Sequence, residues 1–330
     1  MIRQMSSLIL ATLGPFHLLH PRYNAVTLLE LAQAHSPTKI LLASYGPREL
    51  ATGRWREAGE LSLFHLLPWA EAKGIALEAL DTLEHLKAEG ELFREALAQY
   101  PKGQELLEQA AGLEAALQAV LTQPKTPADW ASFETLRPLR EYLEGLARLF
   151  GEGPATGHRR RRMEQVAACL QSLPEGRYVV LADVLDYALL LELIPNALTA
   201  KEHHPSEAER QRSVLDRAWR LEEGDDWALL LGQLGEVEGP EATYCAAQIY
   251  LAAGRLEDAF ALLEQLVHSD FQHPAYLPGY TLARYGQLAD ALGQREKALR
   301  AYQATLALSW APQEAREIAL AGQRTPFKLG

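Results

Sequence analysis

Residues 6–17 read Ser-Ser-Leu-Ile-Leu-Ala-Thr-Leu-Gly-Pro-Phe-His, and this stretch decides the fold. An apolar run so short, closed at once by Gly14-Pro15, reads as a strand buried on both faces. A secretory leader is the alternative, because Met1-Ile2-Arg3-Gln4-Met5 places one base ahead of the run. Gly-Pro arrives too early for that, and no small-residue cleavage site follows cleanly. The strand reading is adopted.

Three further runs share the same character: 39–44, 75–80 and 178–181. Each is short, largely apolar and bounded by Gly, Pro or charge, which predicts cover on both faces. Between the first three lie amphipathic helices at 23–34 and 60–73. In the first, Val26, Leu29 and Leu31 recur near helical spacing opposite Glu30 and Gln33. Strand and helix alternating within 80 residues predict right-handed βαβ crossovers. The fold class is therefore α/β, a small, largely parallel sheet flanked by helices. A helical insertion is expected over about 83–155, broken at 124–127. A helix over 160–173 then returns the chain to the fourth strand.

After residue 200 the pattern changes, giving domains at 1–200 and 201–330. Residues 201–207 are polar and contain Pro205, with Ser206 as a helix cap. Beyond them the chain reads as all-α and repeats itself. Ala247, Tyr250, Gly254, Leu256 and Ala259 share relative offsets with Gly286, Ala289, Gly293, Arg295 and Ala298. Small residues at these offsets suit two antiparallel helices in close approach, with glycine at the turn. The pattern resembles a tetratricopeptide repeat, although the Gly254-to-Gly293 spacing exceeds the roughly 34 residues of that family.

Composition narrows the function classes. The chain has 330 residues, 48% of them hydrophobic, which excludes disordered and fibrous classes. Its net charge is −11, from 43 acids and 32 bases. That field opposes a nucleic-acid partner. No apolar stretch approaches the roughly 18 residues of a membrane span, so the protein reads as soluble with no membrane partner. Two cysteines, Cys169 and Cys245, suit a reducing cytoplasm, and both fall on apolar helix faces. Scarce Asn and Met, with Arg far outnumbering Lys, suit a thermophilic host or a GC-rich genome.

Five blocks of the first two-thirds resemble TraB/GumN-type proteins, relatives of the haem-binding ChaN and erythromycin-esterase group. They are Gly14-Pro15-Phe16-His17 after the first strand, Pro37-Thr38-Lys39-Ile40-Leu41-Leu42, Gly74-Ile75 running through a strand to Asp81, Arg160-Arg161-Arg162-Met163, and Gly176-Arg177-Tyr178-Val179-Val180-Leu181. The resemblance covers about residues 6–195 and implies an α/β domain with its site at the strand ends. His17, Asp81 and Arg160 or Arg162 persist at matching positions. The departures matter more. Ala43 stands where active relatives end the second strand in glutamate, and Leu185 where the late strand leads to histidine. Neither can move a proton, so the hydrolytic apparatus does not transfer.

The residues themselves offer further candidates. His17 and His20 flank a strand-end loop, a place where α/β sheets bind ligands. With Asp81, and Glu84 or His85 just after it, they suit a divalent metal such as zinc. The plainer reading makes His17 a hydrogen-bonded, partly buried residue and the others surface groups. Asp183, or Glu78, is a substitute acid, while Asp186 reads as a helix cap before Tyr187. The run His158-Arg159-Arg160-Arg161-Arg162 is dense in bases. Consecutive helical residues point in different directions, so a solvated helix start with one or two inward ion pairs is expected. No Gly-x-Gly-x-x-Gly, Walker or Gly-x-Ser-x-Gly pattern occurs. Any pocket is expected around Gly14, His17, Ser44, Asp81 and Asp183, with Arg160 and Arg162 beside them.

Three functions follow as expectations. The first is a non-catalytic binding or scaffold protein, whose repeats offer a protein partner or second copy a groove lined by Tyr250, Tyr276, Tyr280 and Tyr285. The second is a metal-assisted hydrolase using His17, Asp81 and Asp183. The third, by analogy with haem-binding relatives, is a cofactor carrier with His17 as axial ligand. No cofactor is expected under the first.

Overall fold

The computed structural model describes residues 6–151 and 153–329, so the leader alternative, which depends on residues 1–5, lies partly outside the described residues. The chain divides into two compact units, Met1–Glu209 and Arg210–Gly330. No helix of the described residues is long and apolar enough to cross a membrane.

The first unit runs β1 (Ser6–Thr12), α1 (Ala25–His35), β2 (Lys39–Leu42), α2 (Pro47–Thr52), α3 (Leu61–Ala72) and β3 (Ala76–Ala79). Three helices follow, α4 (His85–Leu97), α5 (Pro101–Leu121) and α6 (Phe133–Phe150). Then come α7 (Pro154–Ser172), β4 (Arg177–Asp183), α8 (Val184–Leu193) and β5 (Leu198–Thr199). The strands form one sheet in the order β3-β2-β4-β1-β5, and every pair is parallel. The fifth strand is not visible in the sequence pattern. It has two residues, Leu198 and Thr199 beside Leu8 and Ile9, too few to make an apolar run.

Burial explains why the first strand reads as it does. Ile9 and Ala11 face the same way as Leu41, Val180 and Ala182, and form a core with Leu139, Met163, Val166, Tyr187 and Leu190 of α6, α7 and α8. The alternate residues Leu10, Ile40, Leu42, Val179 and Leu181 are buried as well. A parallel sheet covered on both faces has no side on which to place polar residues.

The second unit contains α9 (Glu207–Trp219, which starts just ahead of the boundary), α10 (Trp227–Leu234), α11 (Pro240–Ala252), α12 (Leu256–Val267), α13 (Leu277–Ala291), α14 (Arg295–Ala307) and α15 (Gln313–Arg324). Ser206 caps α9 reciprocally with Glu209: Glu209 N donates to Ser206 Oγ at 3.1 Å, and Ser206 N donates to Glu209 Oε2 at 2.7 Å. The repeat is visible in the turns. Gly254 and Gly293 both take left-handed φ, 74° and 72°. In each the following residue bonds back five positions, Arg255 N to Tyr250 O and Gln294 N to Ala289 O. The small residue Gly286 is needed for close approach, because a Cβ there would fall 2.4 Å from the Tyr302 ring.

Candidate functional site

Parallel strands end together, and the side chains just beyond β2, β3 and β4 meet in one ion-pair cluster. Ser44 donates from Oγ to Asp186 Oδ2 at 2.6 Å and accepts from Asp183 N at 2.8 Å. Asp183, not Asp186, caps α8, accepting from Leu185 N and Asp186 N. The expectation for Asp186 is thus corrected. It lies one turn inside the helix, fully buried, where its carboxylate meets Arg159 at 2.6 Å and Arg162 at 3.6 Å. Arg159 also bridges Asp183, and the buried Arg162 donates from Nε to Asp81 Oδ2 at 2.7 Å. Lys87 closes the group, 2.7 Å from Ser44 O and 2.9 Å from Glu49.

The electrostatics of the two α8 carboxyls diverge. Burial, helped by the charge of Asp183, pushes Asp186 up to about 6 against the pull of Arg159. Asp183 is lowered to about 2, because Arg159 and the helix N–H groups outweigh the cost of burial. A buried acid with two arginines beside it has the makings of an ion-pair hub rather than a free base.

Neither candidate histidine is available as a ligand. His17 Nε2 accepts from Leu13 N at 3.1 Å and Nδ1 bonds Tyr23 O at 2.9 Å. His20 Nδ1 accepts from Lys125 N at 3.1 Å, and Nε2 bonds Leu121 O at 2.8 Å. Both rings are buried, which corrects the surface placement expected for His20 and for Asp81. The reason is local. Gly14-Pro15 turns β1 into a short 3-10 segment, Gly14–Leu19, whose surroundings leave main-chain groups that the imidazoles satisfy. A metal, or a haem iron, would have to displace a main-chain bond to reach either ring.

Beside the ion-pair cluster opens a cavity of about 1090 Å³. Of the residues expected there, Gly14, Ser44, Asp183, Arg160 and Arg162 line it, whereas His17 and Asp81 are not on its wall. Arg160 is half-exposed and paired with Glu192 at 2.9 Å. The wall also carries His158 and Arg159, the start of the basic run, together with Arg140 and Lys87, which the sequence did not single out. A signal for Arg159 was present. Arg159 and Arg162 are spaced i, i+3, as are Asp183 and Asp186, so each pair shares one helix face. On the same wall, Gly14 N donates to Glu60 Oε2 at 2.6 Å. Glu60 is held below the ordinary carboxylate range: despite its burial, contacts from His17, Ser62 and the Gly14 N–H favour the ionised form.

One other constellation was not foreseen. Ligand-type atoms of Glu30, His203 and Glu209 lie within 4.8 Å of one another. Glu209 is already engaged, accepting from Ser206 N and contacting His203 Nε2 at 2.8 Å, and Glu30 accepts from Ser206 Oγ. All four residues belong to the first unit, where they tie α1 to residues 203–209.

The tyrosine groove of the helical unit requires correction. Tyr276 and Tyr285 are buried. Tyr276 donates to Glu241 at 2.9 Å and packs on Trp219, while Tyr285 stacks on Phe260 at 4.9 Å. Tyr250 and Tyr280 are partly exposed, Tyr250 beneath Arg255 and Tyr280 against Trp219. Comparison of the chain with protein-family models, with curated proteins and with solved structures gives no match.

Proposed function

We propose that this chain is a non-catalytic binding protein whose α/β unit takes a small molecule in the cavity at the carboxyl ends of its strands. One observation carries the reading: the ionisable groups at that edge are tied to one another. Asp81 is paired with Arg162, Asp183 and Asp186 with Arg159, and both hydrogen-bonding faces of the Ser44 hydroxyl are occupied. A hydrolase needs a base within reach of a water or a nucleophile, and these groups face each other instead. What is left open is space. The partly buried Phe16, Leu117, Leu143 and Leu185 line the cavity, and Leu185 stands where the resembling TraB/GumN-type enzymes place a histidine.

The helical unit is proposed to serve a protein partner or a second copy of the chain, on the strength of its repeat architecture and its resemblance to tetratricopeptide repeats. Both thiols are free, which supports a reducing cytoplasm.

The test is binding of a neutral, polarity-sensitive dye such as Nile red, alongside turnover of a panel of esters and peptides with zinc or manganese supplied. Saturable dye fluorescence that is lost in Leu143→Trp and Leu117→Trp, with no turnover, is expected. Turnover that disappears in Asp81→Asn would replace this reading with the metal-assisted hydrolase.

A further inference from the structure

Three buried polar atoms on the wall of this one cavity have no hydrogen-bond partner: Arg162 Nη2, Arg140 Nε and His158 Nδ1. Two of them, on Arg162 and Arg140, are donors in every protonation state, and buried polar atoms left unbonded are rare and costly, so three around one cavity call for an explanation. Arg162 is 2% exposed and cannot turn to solvent. Its Nε is fixed on Asp81, and its Nη2 stands 3.6 Å from Asp186 Oδ2, an ion pair beyond hydrogen-bond length.

From this we infer that the cavity takes a small amphiphile, an apolar body carrying one oxyanion head, carboxylate or phosphate, with the head held by Arg162, Arg140 and His158. The inference rests on the binding role proposed above and names its ligand class. Guanidinium groups recognise oxyanions through charge-assisted hydrogen bonds, and Nη2 of one arginine with Nε of another offers two such donors. Carboxylates on the same wall do not compete for them. Glu49 is paired with Lys87, Asp183 with Arg159 and Glu192 with Arg160, Glu60 accepts from Gly14 N and Ser62, and Glu91, Glu144 and Glu164 are exposed. The field at His158 is positive as well. Burial, then Arg159, Arg162, Arg94 and Arg161, lower its imidazole to about 4. An anion would be drawn to that point. The apolar side chains of Phe16, Leu117, Leu143 and Leu185 then meet the body of the ligand. At about 1090 Å³ the cavity is large enough for a ten-carbon chain with its head.

The experiment is calorimetric titration of the full chain with decanoate, decyl phosphate and decanol, each below its aggregation concentration. Both anions are expected to bind one-to-one, at least about tenfold tighter than decanol, in keeping with the strength of hydrogen bonds to charged groups. The tighter of the two anions identifies the head. Arg140→Gln is expected to weaken the anions about tenfold and leave decanol unchanged, and His158→Phe to act in the same direction. Arg148→Gln, an exposed position of the same helix, controls for net charge and should change nothing. Arg162 is left intact, because it also pairs with Asp81 and Asp186 inside the ion-pair cluster. Equal affinity for all three probes would overturn the oxyanion head while leaving the binding cavity standing. Binding of none, together with loss of the dye signal, would overturn both.

Discussion

The two units solve the same problem with buried charge in opposite ways. At the sheet edge, three cations and four carboxylates share a cluster, and a cavity opens beside it. In the helical unit, one buried arginine carries the load. Arg212 donates to Asp216 at 2.7 Å and to Glu241 at 2.8 Å. Glu241 also accepts from Trp219 Nε1 at 2.6 Å and Tyr276 OH at 2.9 Å, under the rings of Trp219, Tyr244, Tyr276 and Tyr280. The first cluster shares its carboxylates among three cations and borders a cavity, and the second centres on Arg212 among packed aromatic side chains. Charge that is enclosed by aromatic rings is architecture, and charge that faces a cavity with donors to spare is available to a ligand.

The largest test of this contrast is Arg212→Met. It removes the guanidinium that Asp216 and Glu241 share in the core and should cost about 3–5 kcal/mol by denaturant unfolding followed through tryptophan fluorescence. Arg162→Met should cost less, because Lys87 remains 3.7 Å from Asp81 and Arg159 remains 2.6 Å from Asp186. If Arg162→Met proves the costlier, the redundancy argued for the sheet edge does not exist. Ser44→Ala removes a donor to Asp186 and an acceptor for Asp183 N, and a loss of about 1–3 kcal/mol is expected. A change below that would mean the cluster holds without its hydroxyl.

Acid titration sharpens the comparison. His158, lowered to about 4 from an ordinary 6.5, contributes stability that is present above pH 6.5 and is lost as pH falls through 4. Asp186, raised from 3.8 to about 6, does the reverse: its contribution is present below pH 3.8 and is lost as pH rises through 6. Between pH 4 and 6 the two oppose each other. His158→Leu should therefore gain stability relative to the wild type as pH is lowered across that window, read as a shift in Tm at each pH. A difference that does not vary with pH would place His158 in contact with water. The smallest effect belongs to Lys39 and Glu78, an exposed pair between β2 and β3. Glu78→Gln should change stability by less than about 1 kcal/mol.

Much of the fold was legible in the sequence, because β1, β2 and β4 are buried on both faces and leave apolar runs, whereas β3, at the sheet edge, is mostly exposed and carries Glu78. The repeat was legible for a similar reason, since Gly254 and Gly293 mark positions that need a left-handed turn. The site was legible only in part. Gly14, Ser44 and Asp183 could be placed because parallel strands end together. His17 and His20 misled, since histidine near a strand end reads as a ligand until its main-chain bonds are seen. Arg159 was hidden inside a run of four arginines whose directions only a helix sorts out. Arg140 carries no sequence signal at all, and His158 shows only as the head of the basic run. Their importance comes from what they lack, a hydrogen-bond partner, and that is a property of the folded chain.

The position of β1 in the sheet has a consequence for synthesis. Its neighbours are β4 and β5, and Ser6 pairs with Arg177. At about 5–20 residues per second, a ribosome takes roughly 10–30 s to go from one to the other. During that interval β1 has no neighbour to pair with, and β2 can find only β3. The helices between β3 and β4 are local structures that form as they emerge, whereas the central strand pairing is among the most distant in the unit and closes late. A nascent chain halted before residue 177 therefore exposes β1 as an unpaired apolar strand, the kind of segment that chaperones hold.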